Sequence, residues 1–151
     1  MQNDIVYDKS ATDEETARKI REFVSTNLHA PMLIFLEKVE DEWLITEIKA
    51  ACTEVRLAVA TCFNEEQLAT FGKDAGAKSK GVYLFPKKFG RGIDFKLKID
   101  AKVLILMNGE HKLTTADCNQ LAGRGNRSQA IPSALLIMIK STYDVDALAI
   151  V

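Results

Sequence analysis

The sequence predicts an α/β fold in which helices cover both faces of a doubly wound, mainly parallel sheet. Five short apolar runs alternate along the 151-residue chain with longer segments of helical period. The runs are continuous rather than alternating, which is typical of strands buried on both faces. The chain also lacks an internal repeat and a Pro-rich linker. We therefore expect one three-layer domain over residues 1–151.

The five apolar runs are the predicted strands. Their length and their content of β-branched residues suit the interior of a parallel sheet. Strand–helix alternation of this kind implies right-handed βαβ units. In chain order the runs are "PMLIFLE" from Pro31, "VRLAVATC" from Val55, "GVYLF" from Gly81, "KVLILM" from Lys102 and "ALLIMI" from Ala134.

The segments between the runs predict four helices. Thr12 and Glu15 have the spacing of a capping box in front of the first helix, and Asn64 with Gln67 and Thr114 with Asp117 take cap positions in front of two others. The remaining helix lies in "DEWLITEIKAAC", where we expect Trp43 to be part of the core. The apolar positions that recur at helical spacing are Ala17, Ile20, Phe23, Val24 and Leu28 in the first helix, and Trp43, Leu44, Ile48 and Ala51 in the second.

Composition excludes several classes of protein. The formal net charge of -1 argues against a module whose main task is to coat nucleic acid. The three cysteines are odd in number and form no C-x-x-C pair, which favours reduced thiols. The start "MQNDIVYDKS" has no signal-peptide pattern, and no apolar run approaches the ~20 residues of a membrane span. We expect a soluble, cytoplasmic protein without a membrane span.

The stretch "GKDAGAKSKG", from Gly72 to Gly81, superficially resembles a phosphate-binding loop. That loop requires G-x-x-x-x-G-K-[ST] after a strand and before a helix. Here an alanine separates Gly76 from Lys78, and the stretch lies between a helix and a strand. We interpret it as a polar connection and not as a Walker motif.

Two other segments are candidates for ligand binding. "GRGID" follows the strand "GVYLF", and ligands of open α/β sheets bind at the carboxyl ends of strands. Gly90 and Gly92 would let the backbone approach a ligand, and Asp94 could accept hydrogen bonds from sugar hydroxyls. A glycine turn with a solvated aspartate is the alternative.

The second segment is "NQLAGRGNR", in which Arg124 and Arg127 are three residues apart. Planar guanidinium groups suit phosphate oxygens, and two at this spacing could reach one polyphosphate. The alternative is a basic helix end that complements its own dipole. We expect these arginines on the same side of the sheet as "GRGID".

Taken together, the two segments resemble motifs V and VI of the C-terminal RecA-like domain of superfamily 2 helicases. The family patterns are roughly [AG]-R-G-x-D and [HQ]-x-x-G-R-x-x-R. The matching stretches are Gly90–Asp94 and Gln120–Arg127. The second is most similar to "NQLRGRxGR" of the preprotein-translocase ATPase SecA. The resemblance is specific over about Gly81–Ser128, and it implies a RecA-like fold of the helicase C-terminal type without its own P-loop.

The resemblance also implies roles for individual residues. Arg127 would be the arginine finger that points at the γ-phosphate of ATP, and Arg124 would support that contact. Asp94 would contact the ribose or a partner domain, and Gln120 would couple the two domains. The glycines of both motifs, Gly90, Gly92 and Gly123, would complete the nucleotide-facing surface.

Two features limit the function that the resemblance implies. Pro86 stands where the family usually has a threonine that contacts the nucleic-acid backbone, which puts nucleic-acid tracking in doubt. No Walker A lysine and no D-E-x-[DH] metal-binding box occur in the sequence. We therefore expect half of an ATP site. A first RecA-like domain would hold ATP and Mg²⁺, and the isolated chain would not hydrolyse ATP.

The apolar end of the chain, at Leu148, Ile150 and Val151, leads us to expect a domain excised from a larger multidomain ATPase. That ATPase would move a polypeptide or a nucleic acid. A catalytically silent RecA-like module that binds other proteins is the alternative.

Overall fold

A computed structural model describes residues 4–74, 80–90, 97, 99–108, 114–125 and 133–139. In this part of the chain six strands form one sheet in the order β1-β6-β5-β2-β4-β3, and every neighbouring pair is parallel. The strands are β1 (Asp4–Ser10), β2 (Pro31–Leu36), β3 (Val59–Thr61), β4 (Gly81–Pro86), β5 (Lys102–Met107) and β6 (Ser133–Ile139).

The helices connect these strands, and side chains cap them as predicted. Thr12, Asn64 and Thr114 each accept a hydrogen bond from the backbone N–H three residues later. Each bond satisfies one donor that a helix N-terminus would otherwise leave unpaired. The helices are α1 (Asp13–Thr26), α2 (Glu42–Glu54), α3 (Glu65–Asp74) and α4 (Thr115–Gly123), and a 3₁₀ turn, Lys87–Gly90, follows β4.

The core has two halves, one on each face of the sheet. Helices α1 and α2 cover one half with side chains such as Ile20 and Ile48, while α3 and α4 cover the other with Phe71 and Leu121. Successive residues of β2 alternate between the halves, so the whole strand is buried. This is the three-layer α/β arrangement that the apolar runs predicted.

The structure differs from the predicted elements in three places. The run "VRLAVATC" forms a strand only over Val59–Thr61, because its first residues end α2. The edge strand β1 was not among the predicted strands, since its exposure alternates and Val6 is 58% exposed. Trp43 is also 38% exposed rather than core, because it lies in the first turn of α2.

Candidate functional site

Helix α4 carries the described part of the predicted arginine motif. Thr114 caps its start, and Cys118, Leu121 and Ala122 are buried against the sheet. The helix begins after the carboxyl end of β5 and runs back across that face of the sheet. Its last residues therefore arrive at the amino end of β5.

A close backbone contact fixes where α4 ends. The N–H of Ala101, the residue before β5, donates a 2.7 Å hydrogen bond to the carbonyl oxygen of Gly125. A Cβ at position 125 would lie 2.5 Å from the Ala101 oxygen and 2.7 Å from Cγ2 of Val103. Only glycine fits this approach, so Gly125 ties the end of the helix to the amino edge of the sheet.

The structure describes four of the seven predicted site residues. Arg124 is half-buried directly after α4, and Gly123 is the last residue of that helix. Gln120 is exposed on α4, and Gly90 ends the 3₁₀ turn after β4. The other three, Gly92, Asp94 and Arg127, lie outside the described residues.

The expectation that the arginines share one side of the sheet with "GRGID" stays a prediction, because residues 91–94 and Arg127 lie outside the described residues. The 3₁₀ turn and α4 pack on the same face of the sheet. Gly90 follows the carboxyl end of β4, whereas Arg124 lies at the amino end of β5. The physical reason is the length of α4, whose nine residues carry the motif from one edge of the sheet to the other.

The carboxyl edge has its own polar cluster, which sequence reasoning did not identify. Glu37, directly after β2, has a side chain only 2% exposed, and its Oε2 lies 3.7 Å from Nζ of Lys87. Nδ2 of Asn108, directly after β5, donates a 2.8 Å hydrogen bond to Oδ2 of Asp41. Asp41 also caps α2 through the N–H of Leu44. In the sequence, Glu37, Lys87 and Asn108 can be recognised as the first polar residues after the buried strands β2, β4 and β5.

The cysteines have the properties of core residues. Cys52, Cys62 and Cys118 are free and buried. Burial raises the pKa of Cys52 to about 11 and that of Cys62 to about 12. Burial also raises the pKa of Cys118, even though Tyr7 hydrogen-bonds to its sulfur. A thiol in this state is a poor nucleophile, so Cys118 is not a candidate for a thiol–imidazole pair with His111, which lies outside the described residues.

Two further features are absent from the part of the chain that the structure describes. No group of three or more His, Cys, Asp or Glu side chains there could hold a metal ion. No helix in that part of the chain is both long enough and apolar enough to span a bilayer.

The all-parallel sheet and its two helical layers define a three-layer α/β domain. The fold is that of RecA-like helicase C-terminal domains. No protein-family model matches the sequence, and no curated protein is significantly similar to it.

Three solved structures carry the comparison. The C-terminal domain of the DEAD-box protein Dbp5 aligns with a TM-score of 0.64 and 11% identity, over 91% of this chain and 77% of that one. Domain 2 of the DEAD-box helicase Mss116p, solved with an RNA duplex, aligns with a TM-score of 0.63 and 18% identity, over 92% of this chain and 55% of that one. The C-terminal part of the Fun30 ATPase domain aligns with a TM-score of 0.62 and 13% identity, over 86% of this chain and 44% of that one. The chain thus spans about half of the Fun30 and Mss116p chains, and at these identities the likeness concerns the fold.

Proposed function

We propose that this chain is the second RecA-like domain of a helicase-like motor ATPase, and that it completes an ATP site held by a first RecA-like domain. In this proposal Arg127 is the arginine finger and Arg124 supports the phosphate contact. The first domain supplies the P-loop and the Mg²⁺ ion. Hydrolysis of ATP then drives motion between the two domains.

One observation carries the proposal most directly. Gly125 is hydrogen-bonded to Ala101, so the described part of the arginine motif ends at the amino end of β5. Arg127 follows Gly125 by two residues, and Asp94 precedes Ala101 by seven. Both motifs thus connect in sequence to the same end of one central strand. An arginine finger requires such a rigid base, because its effect depends on accurate placement against the developing phosphate charge.

We further propose that the motor is SecA-like and that its polymer is a polypeptide. The sequence "NQLAGRGNR" supports the first point. Pro86 supports the second, since it is buried as the last residue of β4 and offers neither a hydroxyl nor an N–H to a nucleic-acid backbone. Lys87, the next residue, lies beside the buried carboxylate of Glu37.

The test uses the parent protein with its first domain present. Arg127→Ala should lower stimulated ATP turnover by about three powers of ten or more, because the finger stabilises charge in the transition state. Arg124→Ala should have a smaller effect in the same direction. Arg21→Ala, an exposed arginine on α1, is the matched control and should leave turnover unchanged. Turnover within about twofold of wild type for Arg127→Ala would exclude the finger assignment.

The alternative function is a catalytically silent RecA-like module that binds other proteins. The buried Pro86 and the formal net charge of -1 favour it over a nucleic-acid motor. A parent protein without a G-x-x-x-x-G-K-[ST] domain upstream of this chain would support the alternative and exclude the motor.

A further inference from the structure

A cavity of about 360 Å³ lies at the amino edge of the sheet, beyond the residues assigned to the ATP site. It opens where α2 ends and where β3 and β4 begin. Its volume falls near the lower end of the range of small-molecule sites, roughly 300–1,000 Å³. The lining residues are Arg56, Leu57, Ala58, Val59, Ala60, Lys80, Gly81, Val82 and Tyr83.

Two cationic side chains line this cavity, and neither has a carboxylate partner in the described part of the chain. The ion pairs there involve Arg18, Lys19 and Lys87. Arg56 is exposed directly after α2, and Lys80 is exposed directly before β4. Two unneutralised cations on one concave surface create a positive potential that attracts an anion.

The backbone of Arg56 provides a second, independent observation. Arg56 has φ 59°, the one positive value among the described non-glycine residues. It follows the C-cap of α2. The Arg56 N–H donates a hydrogen bond to the carbonyl oxygen of Thr53, and the Leu57 N–H donates one to the carbonyl oxygen of Cys52. This is a Schellman motif, in which glycine is the usual residue at this position. An arginine at this position carries a backbone cost that glycine would not.

The floor of the cavity is apolar, and a glycine gives access to it. Gly81 has φ 134°, which disfavours any side chain at this position. A Cβ there would meet the hydroxyl and ring atoms of Tyr83 at 3.5–3.7 Å. Tyr83 is also among the lining residues, beside Val59 and Ala60, although only 3% of it is exposed.

We propose that this cavity binds a small organic phosphate. Arg56 and Lys80 bind the phosphate group, because a guanidinium and an ammonium together match a dianion. The apolar or aromatic body of the ligand lies over Val59 and Ala60. This site goes beyond the proposed function and does not depend on it. Strand β2 lies between β4, which borders the cavity, and β5, whose amino end contacts Gly125 beside Arg124.

The test titrates the full 151-residue chain with phenyl phosphate, inorganic phosphate and phenol, and follows backbone amides by NMR. Phenyl phosphate should shift the amides of residues 56–60 and 80–83, and should bind at least about fivefold more tightly than either fragment, because it uses both the cations and the floor. Arg56→Gly and Lys80→Ala should each weaken its binding by about fivefold or more. Added salt should weaken it as well.

The control variants separate loss of binding from loss of folding. Arg56→Gly should keep or raise the melting temperature, because glycine adopts positive φ without strain. Arg124→Ala should leave phenyl phosphate binding unchanged, so that failure of this site is distinguishable from failure of the ATP-site proposal. Amide shifts located elsewhere, equal binding of inorganic phosphate and phenyl phosphate, or unchanged affinity in Arg56→Gly would each overturn the proposal.

Discussion

The N–H of Ala101 donates a 2.7 Å hydrogen bond to the carbonyl oxygen of Gly125 and so joins the start of β5 to the end of α4. The two residues are far apart in sequence. The bond closes a loop that contains the whole strand and the whole helix. The position of Arg124, next to Gly125, is therefore set by the central sheet and not by α4 alone.

Gly125→Ala should destabilise the chain by about 1–3 kcal/mol, because the new methyl group must displace backbone or Val103. Its Cβ would lie 2.5 Å from the Ala101 oxygen. The matched control is Gly123→Ala at the last residue of α4, where nothing lies within 4 Å of the added atom. That change should be neutral or stabilising by up to about 1 kcal/mol. Urea unfolding of the two variants measures the difference, and equal effects would contradict the close approach.

A buried hydroxyl pair leads to the second prediction. Ser10 Oγ and Thr16 Oγ1 are 2.6 Å apart where β1 leads into α1. Thr16 already donates to the Thr12 carbonyl, and a hydroxyl has one proton to give. Ser10 is therefore the donor in the pair, and Thr16 is the acceptor.

Thr16→Val should cost about 1–3 kcal/mol of unfolding free energy, because it leaves the buried Ser10 hydroxyl without its acceptor. Ser10→Ala combined with Thr16→Val should cost less than the sum of the single changes. Thr53→Val, which removes a similar bond to Lys49 on an exposed surface, should change the free energy by less than about 0.5 kcal/mol. Additive single and double effects would exclude the assigned pair.

Features encoded within a few residues could be predicted from the sequence, and features that join distant segments could not. The cap residues Thr12, Asn64 and Thr114 were identified correctly, since a cap and its helix are adjacent in sequence. Strand β1 was missed because it is an edge strand whose exposed Val6 interrupts the apolar pattern. Period and composition identify a strand, but they do not state which neighbours it has.

The same distinction between local and long-range features applies to the candidate site. The residue types of the arginine motif are evident in the sequence, while its location at the amino edge depends on the length and direction of α4. The ion pair of Glu37 with Lys87 joins residues fifty positions apart. No local pattern indicates such a pair, because it exists only when β2 and β4 lie side by side.

The third prediction concerns pH. Burial acts to raise the pKa of Asp8, but hydrogen bonds from Lys19 and from the Lys9 N–H, together with the Lys19 charge, outweigh it and hold the pKa below 3.8. Nζ of Lys19 lies 2.7 Å from Oδ2 of Asp8. A carboxyl with a lowered folded pKa stabilises the fold above its unfolded pKa, and this contribution disappears as pH falls through the folded value.

Asp8→Asn should therefore reduce the free energy of unfolding at pH 7 but have less effect at pH 3. Because the Asp8 side chain is 42% exposed, solvent screening limits the expected loss at pH 7 to about 1 kcal/mol or less. Lys19→Met should show the same trend with pH. Urea titrations at the two pH values measure it, and a loss independent of pH would show that the charge of Asp8 is not responsible.

The last prediction concerns the polar cluster at the carboxyl edge. The Glu37 side chain is 2% exposed and its Oε2 is 3.7 Å from Lys87 Nζ, whereas the Lys87 side chain is 31% exposed. Lys87→Met would leave a buried carboxylate without this cation. Since solvent can partly replace the lysine, the loss should be about 1–3 kcal/mol, below the full cost of an uncompensated buried charge.

A second substitution at Glu37 distinguishes a charge effect from lost packing. Glu37→Gln together with Lys87→Met should be more stable than Lys87→Met alone, because the double variant no longer buries a carboxylate that has lost its lysine. Lys38→Met, an exposed neighbour, should change the unfolding free energy by less than about 0.5 kcal/mol. A double variant less stable than Lys87→Met would show that the Glu37 carboxylate is stabilised mainly by its other contacts.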